Sequence, residues 1–489
     1  MVFDRIKGFF KKKNEIKNIR DIKVALISDQ FTYDSYKYEF EAVSIYPDDW
    51  KEKFERQKPD IFLCESAWDG HNFEGLYGPW REKIYQKLEG PENRQILFEI
   101  LDYCKKNSIP TVFWNKEDPP HYKDHRLSYA DTASRFDYIF TTSKNCIKHY
   151  KKDFNHPHVY SLMFAGQPKL FNPINPSGEI IEEVTFAGSF YEDKPERARL
   201  MEDIFDRLIA EGVSLRIYDR QYHKNWGNYP ERFLKYTCPP IEYAETADVY
   251  KKMKWGLNFN IVTDSETMFA RRVFELALSN VYIITNYSVG VSKIFADNIF
   301  VFDRQSGIPD FTKDYQNERL NNLYNVLENH TYKNRWKEVL DTIGFEYTED
   351  AQDISVIYRL DVMDNADKVI EEFKSISYPD KSLKIYCQDE GIDGDMLKEK
   401  HSEIDDVYFK MKDIKDDLNT EYWILVDGDI DSDFIKKAIL HYQYLDKDIA
   451  VGEGEDKFTF STLPIENKVM SSINIEYLDN GREIKTYLI

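Results

Sequence analysis

Three charged residues, Arg271, Arg272 and Glu275, stand within the predominantly apolar stretch 267–285. The stretch predicts a helix, a turn and then a buried strand. Charges in such a helix need partners, because an unpaired buried charge is costly. Two interpretations are open. The arginines bind phosphate oxygens while Glu275 accepts hydrogen bonds from ribose hydroxyls, or the three residues pair with one another and tie the helix to its neighbours.

Two earlier strand ends add residues suited to a phosphate group. Gly188 ends one predicted strand, and Lys194 and Arg197 stand at the start of the helix that follows. The N–H groups of a helix start attract anions, and Arg220 follows the next strand. Together with the helix these positions predict a nucleotide-diphosphate site. Its predicted donor-binding residues are Gly188, Ser189, Lys194, Arg220, Arg271, Arg272 and Glu275.

The segment 114–122, WNKEDPPHY, predicts a strand end that faces a second substrate. Glu117 could orient or deprotonate an acceptor hydroxyl, whereas Asp118 is expected to cap the next turn. The polar and aromatic loop in 62–80 is suited to stacking on sugar rings, although its histidine could simply be solvated. The candidate acceptor-binding residues are Asp69, His71, Asn115 and Glu117, and the candidate catalytic residues are Glu117, Arg272 and Glu275.

Strands and helices alternate from Ile22 onward, which predicts α/β domains with parallel sheets covered on both faces. Ligands of such sheets gather at the carboxyl ends of the strands. The first series of strands spans 22–172 and the second spans 179–345, with a Pro/Asn-rich linker between them. The sequence thus predicts two facing Rossmann-like domains. The helical stretch 315–344 either closes the second domain or crosses back to the first.

The last part of the chain, 353–489, predicts a third α/β unit. Asp427 and Asp429 follow one of its strands and could hold Mg²⁺ or Mn²⁺, or could form an acidic turn before the next helix. Only about half of a nucleotide-binding sheet is recognisable. We therefore expect an open edge or an apolar face that is covered either by the first two domains or, in a homo-oligomer, by a second copy of the chain.

Composition limits the function further. The net charge of −21 argues against nucleic-acid binding. Five cysteines without CxxC spacing indicate a reducing cytoplasm and no structural zinc, and no apolar run is long enough for a membrane span. Residues 1–21 predict a basic amphipathic leader. It could contact anionic lipid at the inner face of a membrane, or it could pack on the body of the protein.

The segments FWNKEDPPHY, FDYIFTTSKNCIKHYKK, FAGSFYEDKPERARLME, IYDRQ and TMFARRVFELALSN resemble the CgeB/YkvP-type glycosyltransferase-like family of the GT-B fold over about residues 22–345. The resemblance implies a nucleotide-sugar donor on the second domain and an acceptor on the first. It also implies Glu275 at the donor ribose, with Lys194 and Arg272 at the diphosphate. The wider retaining enzymes carry an arginine where this chain has Ser189. The tail resembles the amino-terminal half of a family-2-type GT-A domain, truncated and non-catalytic.

Three functions follow from these patterns. The first is a metal-independent, retaining glycosyltransferase that uses a UDP-sugar and, as the resemblance implies, acts on a cell-surface glycan, a teichoic-acid-like polymer or a lipid-linked acceptor. The second is a nucleotide-sugar epimerase, and the third is an inactive glycan- or nucleotide-binding scaffold. None of the three requires a cofactor in the first two domains.

Overall fold

The computed structural model describes residues 16–71, 78–122, 124, 127–222, 229–242, 245–389, 391–480 and 483–489. The chain divides into two compact units. One comprises Met1–Phe171 and Gly178–Glu349, and the other comprises Asn172–Ser177 and Asp350–Ile489. The first unit contains two six-stranded sheets whose pairings are all parallel. The predicted GT-B fold of two Rossmann-like domains is confirmed.

The first sheet is built from short, buried, β-branched and aromatic segments, which favour strands. In sheet order its strands are Glu41–Ser44, Lys23–Ile27, Ile61–Glu65, Thr111–Asn115, Tyr138–Thr141 and Val159–Ser161. The two edge strands were not predicted. The chain order reverses between Lys23–Ile27 and Ile61–Glu65, and ligands of open α/β sheets bind at such a reversal.

The second sheet has the Rossmann strand order, whereas the first has the flavodoxin-like order. Across the sheet its strands are Thr237–Cys238, Leu215–Asp219, Ile181–Gly188, Met253–Asn258, Tyr282–Thr285 and Phe300–Val301. Here the chain order reverses between Ile181–Gly188 and Met253–Asn258. The carboxyl ends of these two neighbouring strands are therefore the expected ligand position of the second domain.

Helices cover both sheets. In the first domain they are Gln30–Tyr36, Trp50–Gln57, Gln95–Asn107, Tyr129–Ala133 and Ile147–Phe154. In the second they are Pro195–Ala210, Thr246–Tyr250, Arg272–Leu278, Val289–Phe295, Gln316–Asn329 and Tyr332–Ile343. Trp336 and Leu340 of the last helix pack into the first domain's core. Of the two alternatives for 315–344, the crossing back is thus correct for Tyr332–Ile343.

The second compact unit is built on one eight-stranded sheet. In sheet order the strands are Ile404–Tyr408, Lys381–Cys387, Ile354–Leu360, Tyr422–Val426, Lys468–Ser471, Ala450–Gly452, Ile484–Leu488 and Phe460–Leu463. Its helices are Ala366–Ser375, Gly394–Lys400, Met411–Asp417, Phe434–His441 and Tyr477–Asn480.

The expectation of half a sheet in this unit is wrong. Lys468–Ser471 pairs antiparallel with Tyr422–Val426, so the sheet continues beyond the strands recognised in the sequence. The remaining strands are short and were not recognised, because three or four residues carry little periodicity. The contact of this unit with the rest of the chain or with a second copy stays a prediction. The GT-A-like assignment of the unit stays a prediction.

The end of the predicted leader belongs to the folded body. Lys17–Asn18 pairs with Tyr347–Thr348, Lys17 forms an ion pair with Asp60 at 2.7 Å, and Ile19 is buried in the first core. Residues 1–15, which carry most of the predicted amphipathic pattern, lie outside the described residues. Within the described chain, no helix combines the length and apolar character needed to cross a bilayer.

Candidate functional site

The helix Arg272–Leu278 begins later than predicted, with Arg271 at its N-cap position. All side chains of this helix from Val273 to Leu278 are buried, so the helix is held in place by packing in the second domain. Glu275 is also buried and pairs with Arg271, Nε to Oε1, at 2.5 Å. The guanidinium of Arg271 lies 3.9 Å from the ring centroid of Phe31 in the first domain. For this pair the internal ion pair of the second interpretation is present.

Arg272 has different partners. One of its terminal nitrogens donates to the carbonyl of Ala187, and its Nε donates to the Tyr250 hydroxyl at 3.2 Å. Its guanidinium lies 5.0 Å from the Phe186 ring centroid. These contacts hold the cation at the carboxyl end of Ile181–Gly188, where the chain order reverses. Within the described residues no carboxylate forms an ion pair with it.

Gly188 leaves room for the Phe186 ring beside Arg272. A Cβ atom at position 188 would lie 2.7 Å from the Phe186 ring and 3.4 Å from Nη2 of Arg272, so a larger residue would displace the ring on which the guanidinium lies. The next residue, Ser189, is buried, and its Oγ lacks a hydrogen-bond partner in the described structure. A buried hydroxyl without a partner costs free energy, so the Ser189 hydroxyl is a candidate contact for a bound group.

Arg197 is the least compensated cation of the site. It is 8% exposed, its Nη1 donates to the carbonyl of Ser189 at 3.2 Å, and its Nε has no partner. Burial lowers the pKa of Arg197 to about 10, and the charge of Arg272 acts in the same direction. Among the described residues no acidic side chain pairs with Arg197. Two cations, an unpaired N–H and an unpaired hydroxyl at one strand end suit an anion such as a diphosphate.

Two predicted cations of the donor site lie less centrally. Lys194 is half exposed and lies 3.7 Å from Asp193. Arg220 is exposed at the end of Leu215–Asp219. Within the described part of the chain, no hydrogen bond or ion pair joins either of them to Arg272. The structure therefore brings together Gly188, Ser189 and Arg272 with Arg197, which the sequence had marked only as added charge.

Three buried asparagines were missed. Asn258 and Asn260 follow one strand and Asn286 follows the next, and their amides form a hydrogen-bonded group with Thr285. Oδ1 of Asn260 accepts a hydrogen bond from the backbone N–H of Ala270 at 3.0 Å. The group thereby fixes the loop that leads into the helix of Arg272. The repeated asparagines at two neighbouring strand ends were the available signal.

The reversal in the first sheet carries a second charged group, also missed. Nζ of Lys116 lies 2.7 Å from Oδ2 of Asp29 and 3.1 Å from Oε1 of Glu65. Asp29 also accepts hydrogen bonds from the N–H groups of residues 68–70, and Glu65 accepts one from the Thr32 hydroxyl at 2.6 Å. Burial raises the pKa of Glu65 to about 7, an effect that Lys116 opposes. Each charged side chain of this group thus has an oppositely charged partner within it.

The predicted residues of the 114–122 loop are mostly engaged internally. Asn115 donates to Asp118 at 2.9 Å and to the Tyr150 hydroxyl at 2.8 Å. Asp118 is buried, accepts hydrogen bonds from Thr141 and Tyr150, and has its pKa raised to about 7 by burial. It does not merely cap a turn. Glu117 is partly exposed and lies 3.8 Å from His121, so its carboxylate is the accessible one.

His71 is buried rather than solvated. Its ring stacks on Tyr33 with centroids 4.3 Å apart, Nε2 lies 2.6 Å from the Ser44 hydroxyl, and Nδ1 lies 3.2 Å from the Ser28 carbonyl. Both ring nitrogens thus have protein partners. Asp69 lies 3.3 Å from Arg81. Residues 72–77 of this loop lie outside the described residues.

Asp427 and Asp429 are exposed. The backbone of Asp427 exchanges hydrogen bonds with the Asn467 side chain, and Asp429 lies 3.8 Å from Lys368. In the described part of the chain no three acidic, histidine or cysteine side chains gather as a metal site would require. The two aspartates thus lie in an exposed turn, and metal binding there stays a prediction.

Comparison with known proteins gives one family match. The family described as "Glycosyl transferase-like" matches residues 195–341, the part that contains Arg197, Arg272 and Glu275. The match covers less than half of the chain, and the CgeB/YkvP-type assignment stays a prediction. A search of curated proteins gives no match.

Several solved structures are similar at low identity. One is an alpha-glucosyltransferase in complex with UDP and a 13-mer DNA containing an HMU base, with 13% identity, coverage of 66% of this chain and 100% of that one, and a TM-score of 0.47. TarM has 11% identity, covers 58% of this chain and 54% of its own, and has a TM-score of 0.36. A UDP-N-acetylglucosamine 2-epimerase has 10% identity, covers 68% of this chain and 99% of its own, and has a TM-score of 0.34. These scores are too low to carry an argument about substrate.

Proposed function

We propose that the chain is a glycosyltransferase that uses a nucleotide-diphosphate sugar, with a UDP-sugar as donor. The observation that carries the proposal is the pair Arg197 and Arg272 at the end of Ile181–Gly188, buried or half-buried without a carboxylate partner. Desolvated arginines of this kind stabilise a departing diphosphate, because their charge is already in place where negative charge develops. The family match over 195–341 supports the same class of reaction.

The remaining groups are assigned by their positions. Arg271 occupies Oε1 of Glu275, so we assign Oε2 to the ribose hydroxyls of the donor. We assign Glu117 to the acceptor hydroxyl, since its carboxylate is the accessible one in its loop. The two arginines take the role that a metal cation has in metal-dependent transfer, so we expect the reaction to be independent of metal. The resemblance described above implies retention of configuration. A cell-surface glycan or teichoic-acid-like acceptor at the inner membrane face completes the proposal.

Donor binding and turnover test the proposal separately. UDP-sugars should raise the midpoint of thermal unfolding, because a ligand at 100 times its Kd adds about 2.7 kcal/mol of stability. Turnover, measured as release of UDP, should require the acceptor and should continue when EDTA is added. Glu275→Ala should abolish turnover with the fold retained. Conversion of the sugar without transfer would instead identify an epimerase, and binding without any turnover would identify a scaffold.

A matched variant keeps the test interpretable. Arg232 is an exposed arginine of the same domain that pairs with Glu202 and Asp206. Arg232→Ala should leave donor binding and turnover unchanged, because surface pairs contribute little. If Arg232→Ala and Glu275→Ala reduce turnover equally, the loss reflects general damage to the domain and the role of Glu275 is refuted.

A further inference from the structure

A cavity of about 420 Å³ lies apart from the arginines of the donor site. Its first-domain wall contains Pro119, Tyr122, Lys148 and His149, and Asp264 of the second domain lines it as well. The volume is within the range of about 300–1,000 Å³ that small-molecule sites occupy. None of the acceptor-binding residues predicted from the sequence lines this cavity, but Glu117 stands only two residues before its wall residue Pro119.

One residue that lines the cavity belongs to a loop that connects a strand and a helix of the donor site. Asp264 is exposed in the loop between the strand Met253–Asn258 and the helix Arg272–Leu278. The next residue, Ser265, lies 3.3 Å, hydroxyl to hydroxyl, from Ser143 of the first domain. A molecule in the cavity would therefore contact the loop that carries the donor helix.

One wall suits a sugar-like ligand. The rings of Tyr122 and His149 are tilted, with centroids 5.4 Å apart. The Tyr122 hydroxyl donates to Asp153 at 3.2 Å, which fixes its ring. Fixed aromatic faces present apolar surface beside polar edges, the combination on which sugar rings pack. Asp264, on the other side, can accept a hydrogen bond from a hydroxyl.

The other feature of the wall is positive charge on an acidic protein of net charge −21. Lys148 lines the cavity, and Lys151 and Lys152 follow on the same helix, Ile147–Phe154. At spacings of three and four residues the three side chains share one helix face. All three are exposed, and within the described residues none has a carboxylate partner. Lys148 stands outside the last turn, where the helix dipole would favour a cation in any case.

We propose that this cavity and its lysine face bind the acceptor, and that the acceptor is a phosphodiester-bearing polyol or glycan chain. The aromatic wall takes one unit, and the lysines bind phosphates of the neighbouring units. The inference rests on the proposed function but needs no donor. Anionic lipid headgroups share the phosphodiester chemistry, and the test distinguishes the two sources.

The test measures binding of a defined 1,3-linked glycerol-phosphate oligomer to the full chain without donor. It should bind far more tightly than a neutral oligosaccharide of equal length, and the affinity should fall as salt rises. Lys148→Ala/Lys151→Ala/Lys152→Ala should weaken binding by about tenfold, the sum of three modest charge contacts. Replacement of the same three lysines by arginine should retain binding, because the phosphates are recognised by positive charge, which arginine keeps.

The matched control is Lys105→Ala/Lys106→Ala. These exposed lysines end the helix Gln95–Asn107 of the same domain, as Lys151 and Lys152 end theirs, and their removal should change nothing. Equal binding of neutral and anionic oligomers, or equal losses in both lysine variants, overturns the proposal. Tighter binding to phosphatidylglycerol vesicles or to duplex DNA than to the glycerol-phosphate oligomer also overturns the proposal. UDP binding, measured in parallel, reports the donor site independently.

Discussion

The two Rossmann sheets place charged side chains at equivalent points, between the strands where the chain order reverses, but compensate them differently. In the first sheet one buried cation, Lys116, lies between the carboxylates of Asp29 and Glu65. In the second sheet Arg197 and Arg272 have only backbone or hydroxyl partners. Charged side chains that pair with one another need no ligand, whereas a buried cation without a carboxylate partner can gain one by binding an anion. The contrast supports the second sheet as the donor site.

The largest expected effect is on the compensated group. Lys116→Met leaves the buried carboxylate of Glu65 and the partly buried one of Asp29 without their cation, and we expect a loss of about 3–5 kcal/mol in the free energy of unfolding. Urea unfolding followed by tryptophan fluorescence measures it, with Lys105→Met, an exposed lysine, as the control. Adding Glu65→Gln to Lys116→Met should restore part of the loss. A loss below about 1 kcal/mol would remove the contrast between the sheets.

The pH dependence of stability sharpens the description of the first domain. Burial raises the pKa of Asp118 from 3.8 to about 7, so the folded state holds a proton that the unfolded state has lost. The stabilisation is complete below about pH 4 and is lost as pH rises through 7, amounting to about 4 kcal/mol. Asp118→Asn should remove this part of the pH dependence. If the free energy of unfolding of wild type and variant changes equally with pH between pH 5 and 8, the contribution assigned to Asp118 is refuted.

The sequence predicted the architecture better than the sites. The central strands of the two Rossmann sheets and their carboxyl ends were predicted correctly, because buried parallel strands are continuous apolar runs. Lys116 was overlooked although its segment was examined, because Asp29 and Glu65 lie 87 and 51 residues away in the chain. Only the strand order, which no periodicity encodes, brings them together. Arg197 was noticed as charge, but its lack of a carboxylate partner is a property of packing alone.

Ligand discrimination should show a moderate effect at the uncompensated group. Arg272→Ala should weaken UDP binding by about 10- to 100-fold, since a charged hydrogen bond contributes about 1.5–3 kcal/mol. Uridine, which has no phosphate, should bind the variant and the wild type equally. Calorimetric titration of both ligands measures this. Equal losses for UDP and uridine would mean that Arg272 supports the fold through Ala187 and Tyr250 rather than the diphosphate.

The smallest expected effect completes the contrast. Arg197→Met is the same kind of change as Lys116→Met, a buried cation replaced by an apolar chain. It removes the hydrogen bond to the Ser189 carbonyl and a contact 5.0 Å from the Tyr191 ring centroid, but it also removes an unpaired buried charge, which is costly. These terms offset each other, so the ligand-free stability should change by no more than about 1 kcal/mol. With saturating UDP the wild type should become clearly the more stable, because only it gains the full binding free energy. If ligand-free Arg197→Met loses as much as Lys116→Met, the arginine is structural and the donor assignment of this strand end fails.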